Sequence, residues 1–147
     1  MDPDRAKMEI GRRMLIAGPR VAEQVDAFHK WVPEASAAVQ GAQFTPVMEN
    51  GRLIAVECSL GRFEVAQELS RVGEQLFARI VFYQPPTPLR KEPREACCLR
   101  FFEDSAHFGP GPDADHFDWD HDRDRWSPRN WLRLGYELAL AATQPLG

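Results

Sequence analysis

Apolar positions along the chain keep two different periods. Val21, Val25, Phe28 and Val32 recur at i, i+4, i+7 and i+11, which is one face of a helix. Upstream, Asp2 is placed to cap a helix and Pro3 to begin it. Gly18-Pro19 interrupts the pattern, and Pro33 stops or kinks it. "EASAAVQG" adds a last turn or two, with Gly41 as the C-cap. The expectation is helix over residues 3–40, broken near 18 and 33. His29, beside that apolar face, reads as a partly buried structural histidine.

From residue 43 the period becomes two. "FTPVM" and "RLIAVECSL" flank "ENG", a hairpin turn. In the second run Ile54, Val56, Cys58 and Leu60 line one face. "RFEVAQELS" alternates Phe63, Val65, Gln67 and Leu69 against Glu64, Ala66, Glu68 and Ser70. A helix also fits this run, but a strand, a turn at "RVGE" and a strand "QLFARIVFY" suit the β-branched and aromatic content better. "QPPTPLRKEPRE" is a proline-rich surface loop, and "ACCLRFFED" a further strand. The expected body is a meander over 43–104. Short connections imply antiparallel pairing.

The last helix, 128–143, is signalled by Ser127 as N-cap and Pro128 as first residue. Trp126 and Trp131 hold the positions of a hydrophobic staple. Trp131, Leu134, Leu138 and Ala142 follow helical spacing. These elements make one α+β domain spanning 1–147. An antiparallel sheet of about five strands is flanked by N-terminal helices and a C-terminal helix, with 105–126 an acidic loop or edge strand.

Composition and charge narrow the picture. At 147 residues, 44% hydrophobic and 27% charged, the chain has the makeup of a globular domain with an ordinary core. The longest apolar run, "LFARIVFY", is far short of a membrane span, and the acidic N-terminus does not read as a secretory signal. Three cysteines, two of them adjacent, are a poor disulfide framework, so a cytoplasmic setting is expected. Cys97 and Cys98 fall on opposite faces of a strand, one a small buried hydrophobe and the other an exposed thiol.

The charge is lopsided. Between Asp113 and Asp124 six aspartates face one arginine, a local −5, while the whole chain carries −4. The remainder is nearly neutral. Nucleic-acid binding, which needs a basic footprint, is disfavoured. A cationic partner, a metal ion or mimicry of a nucleic-acid surface suits the stretch better. Its aspartates also lie near the positive end of the last helix, which stabilises those within the first turn by ~0.3–1 kcal/mol each.

Three readings compete for "DADHFDWDHDRDRWSP": a plain solvated lead-in to the last helix, and two chemistries. Read as an extended strand, it puts Phe117, Trp119 and His121 on one side, with His116, Asp118, Asp120, Asp122 and Asp124 on the other. Aromatics then anchor while aspartates face water. On this reading the protein is a small non-catalytic interaction protein of immunity, antitoxin or accessory type, by analogy of size and charge to such bacterial proteins. Asp113, Asp115, Asp118, Asp120, Asp122 and Asp124 steer a basic protein partner and Trp119 supplies a desolvated anchor. No cofactor is required, and a homodimer is compatible.

The alternative is a metal-dependent hydrolase or nuclease. His116, Asp118, Asp120 and His121 would bind a divalent ion, with His107 as a further ligand or base. The spacing matches no EF-hand loop, no "HExxH" and no Cys-x-x-Cys pair. A separate reading is a small-ligand pocket between sheet and helices, lined by Phe63, Phe82, Phe101 and Trp131. These four read more simply as core.

Overall fold

The computed structural model describes residues 2–39, 41–109, 117–119 and 125–143. Two helices, α1 (Pro3–Ala38) and α2 (Pro128–Ala142), pack on one face of an antiparallel sheet. Its seven strands are β1 (Phe44–Glu49), β2 (Arg52–Cys58), β3 (Gly61–Val72), β4 (Gln75–Gln84), β5 (Arg94–Phe101), β6 (Ala106–Gly109) and β7 (Phe117–Asp118), and each pairs with its chain neighbour. The α+β expectation holds. The strand count exceeds five because β6 and the two-residue β7 arise within 105–126.

α1 begins as expected: the Asp2 carboxylate accepts the N–H of Asp4 at 3.0 Å, and Pro3 follows. Val21, Val25, Phe28 and Val32 are all buried. The expected breaks are absent, and the helix runs through both Pro19 and Pro33. Both prolines lie on its exposed side. There water can take up the carbonyl that proline frees, so the helix continues. It ends at Ala38, with Gly41 beyond it in the left-handed region at φ 76°.

The β1–β2 turn puts Asn50 and Gly51 at φ 51° and 76°, the primed geometry that matches strand twist. Between these strands the register slips at Val47/Met48. That bulge turns Leu53, not Ile54, into the core beside Val56. The 62–73 run is strand, as preferred, and turns at Gly73.

Leu76, Ala78, Ile80 and Phe82 of β4 face the helices, as do Cys97, Leu99 and Phe101 of β5. Phe82, Phe101 and Trp131 are therefore core. Cys98 departs from expectation. It points away from the helices yet is fully buried, among Glu95, Arg100 and Arg79. The long side chains of its strand neighbours exclude water that the alternation alone would admit.

Candidate functional site

The acidic stretch enters the fold through Trp119. The β6–β7 pairing sets His107 opposite Asp118, and the Trp119 N–H donates to the Ala106 carbonyl at 3.0 Å. That register puts Trp119 on the core side with Ala106, and its indole is fully buried. It meets Trp31 edge-to-face and lies against Phe108. Trp119 therefore cannot serve as an exposed anchor. Its physical role is to hold the segment to the sheet.

A second tie lies at the far end. Asn130, buried in the first turn of α2, donates through Nδ2 to the Trp119 carbonyl at 3.2 Å and to the Arg125 carbonyl at 3.0 Å. One amide thus joins the two ends of the 120–124 run. Arg125 also donates to the Gln24 side chain and, at 3.1 Å, to the Asp104 carbonyl. The Ser127 hydroxyl caps α2 by accepting from the Arg129 N–H at 3.3 Å. The expected contact between Trp126 and Trp131 is made through Trp31, whose ring lies within 6.3 Å of both, and whose indole N–H donates to the Trp126 carbonyl. All four tryptophans of the chain meet at Trp31.

Asp113, Asp115, His116, Asp120, His121, Asp122 and Asp124 lie outside the described residues, and of Asp118 only the backbone is described. Of the proposed metal ligands, His107 and Asp118 are brought opposite each other in backbone register. Among the described residues no group of three or more His, Cys, Asp or Glu is arranged to hold a metal. His107 is 3.3 Å from the Ser105 hydroxyl and borders a hollow of about 230 Å³ with Glu74, Glu103 and Asp104. Those acids are already matched: Arg13 pairs with Glu74, and Arg20 reaches Glu103 at 3.9 Å and Asp104 at 3.7 Å.

His107 also belongs to a line of ionisable residues on the sheet face away from the helices, which continues to Asp118 in backbone register. Glu68 stands opposite Arg79, Arg79 opposite Arg100, and Arg100 opposite His107. Arg79 pairs with Glu68 at 2.5 Å and with Glu95 at 2.7 Å. Burial opposes the Arg79 charge, but the two carboxylates outweigh it and hold the guanidinium more firmly protonated. Burial pushes the Glu95 carboxyl up, against the pull of Arg79. Arg100 sits over the Phe77 ring, 5.6 Å from its centre.

On the helix side, an apolar cavity of about 380 Å³ opens between β1–β3 and α2. Phe63 forms part of its wall, so one of the four residues suggested for a pocket does border one. The Phe44 ring, also in the lining, lies on Gly135, where it would collide with any added Cβ. The sequence suggests a pocket between sheet and helices but only Phe63 of its lining, and it does not single out Asn130. Asn130 could have been singled out, as a polar residue on the buried stripe of Trp131 and Leu134.

No protein-family model matches the chain, and comparison with curated proteins and with solved structures finds no match. Among the described residues no helix is long and apolar enough to cross a membrane.

Proposed function

We propose that this chain is a non-catalytic binding protein that docks a basic surface on a protein partner through the acidic stretch Asp113–Asp124. What carries the reading is the double tie that flanks residues 120–124, the second part of that stretch. Trp119 is sunk in the core, and Asn130 links the Trp119 and Arg125 carbonyls. The short run between them, with Asp120, Asp122 and Asp124, is held at both ends. Restraint of this kind lowers the ordering cost on binding, so more of the charge attraction appears as affinity. Six aspartates against one arginine leave a local excess for steering. Trp119 contributes as the fastening, not as the contact.

The test replaces Asp113, Asp115, Asp122 and Asp124 with asparagine, leaving Trp119 and Asn130 in place. Immobilised wild-type protein is expected to retain a basic protein from an extract of the native host at low salt and to release it as salt rises. The variant should retain less, with a flatter dependence of affinity on salt. Equal affinity and equal salt response in both would overturn the reading.

A further inference from the structure

We propose that the cavity between β1–β3 and α2 binds the alkyl or acyl chain of a small amphiphile, at a site separate from the acidic stretch. None of the described residues lining it is charged. Burying a charge there would go uncompensated, so the occupant's inner part is apolar. Behind it stand Val56 and Phe63, core residues essentially without exposure, so its inner wall is apolar.

Size sets the chain length. A cavity of roughly 150 Å³ in a protein core admits benzene. The one here, at about 380 Å³, admits an extended chain of roughly ten to twelve carbons. Of the lining residues, Leu60 and Tyr136 are 48% and 62% exposed, so they lie at its solvent side. Apolar rings and chains in water at a cavity mouth gain by covering a guest. Ser59 and Tyr136, each carrying a hydroxyl, are among the residues that line the same cavity. An amphiphile with its chain inside and its polar end at the rim satisfies both regions. A second protein chain fits less well: a docking surface spans about 800 Å² per partner, and the exposed apolar groups here are two rim side chains.

Cys58 lines the cavity and is only half-buried, whereas Cys97 and Cys98 are fully buried, with burial raising both thiols. Cys58 is thus the thiol a water-borne reagent reaches first, and it reports occupancy. The experiment titrates decan-1-ol and decanoate into the full chain by calorimetry. In parallel, iodoacetamide alkylation is followed by intact mass. The expected result is saturable binding at one chain per protein, with the first alkylation slowed about fivefold or more at saturation.

Ala139→Trp, which fills the cavity from α2, should weaken binding by about tenfold or more. Leu60→Lys, on an exposed turn, serves if Ala139→Trp does not fold. It should weaken decanol binding more than decanoate binding, because the new cation compensates the carboxylate. Absence of saturation up to the solubility limit would overturn the proposal. So would undiminished binding in a folded Ala139→Trp, equal effects on both probes in Leu60→Lys, or a dimer in which decanol leaves Cys58 alkylation unchanged.

Discussion

The rings of Trp31 and Trp119 meet edge-to-face, with centroids 5.9 Å apart and planes at 84°. α1 and the two-residue strand β7 are separated by most of the sequence, and this contact ties one to the other. It brings Trp119, which the sequence sets among aspartates, into the core.

Trp119→Ala should therefore cost about 3–5 kcal/mol, the range for emptying a large aromatic site in a packed core. Trp119→Phe should cost much less. It keeps most of the ring and removes an indole N–H that finds no acceptor among the described residues. Urea unfolding followed by circular dichroism checks both. A loss below about 1 kcal/mol for alanine would mean that β7 is not fastened as described.

Elements governed by local chemistry were legible in the sequence. Ser127-Pro128 marks the start of α2, the Val21 to Val32 spacing marks the buried face of α1, and Asn50-Gly51 marks a hairpin. Features set by partners distant in sequence were not. Pro19 and Pro33 are tolerated because packing leaves their side of α1 in water. Leu53 replaces Ile54 in the core because a bulge shifts the register. Cys98 is buried by side chains from β4 and β5, including Arg79 and Arg100. Alternation placed Trp119 opposite the aspartates, but only the β6 pairing decides that its side faces the core. The apolar cavity draws on the α1–β1 connection, three strands and α2, so no local pattern announces it.

His29 gives a pH dependence of known sign. Its Nδ1 accepts the N–H of Leu53 at 3.0 Å, which requires the neutral ring at that nitrogen. Burial pulls its pKa below 6.5; the Gln67 side chain pulls the other way, Arg52 adds to the lowering, and Asp26 opposes it. Between the lowered folded value and 6.5 the unfolded chain binds more protons than the folded one. Stability from this group is complete above 6.5 and falls as the pH drops through the window below it. Urea midpoints at pH 7.5 and 5.5 should thus differ more in wild type than in His29→Gln. A variant with the same pH response as wild type would show that His29 is not the group titrating.

Arg79 and Glu95, each with a side chain only 18% exposed, provide the sharpest energetic test. Removing Arg79 leaves the Glu95 carboxylate in a site that burial already disfavours, with one of its oxygens buried and without a partner among the described residues. Arg100, which lies near enough to lower the Glu95 pKa, offsets part of the loss. Arg79→Met should then destabilise by about 2–4 kcal/mol, somewhat under the range for stranding a fully buried charge. The deficit should shrink with acid. A carboxyl whose folded pKa is raised takes up its proton earlier in the folded state, so stability is regained as the pH falls toward that value. Adding Glu95→Gln to Arg79→Met removes the stranded charge and should recover part of the loss at pH 7.5. Urea unfolding of the two single variants and the double variant yields the coupling directly. Strictly additive losses at neutral pH, or a deficit that grows on acidification, would show that the charge of Glu95 is not what Arg79 offsets.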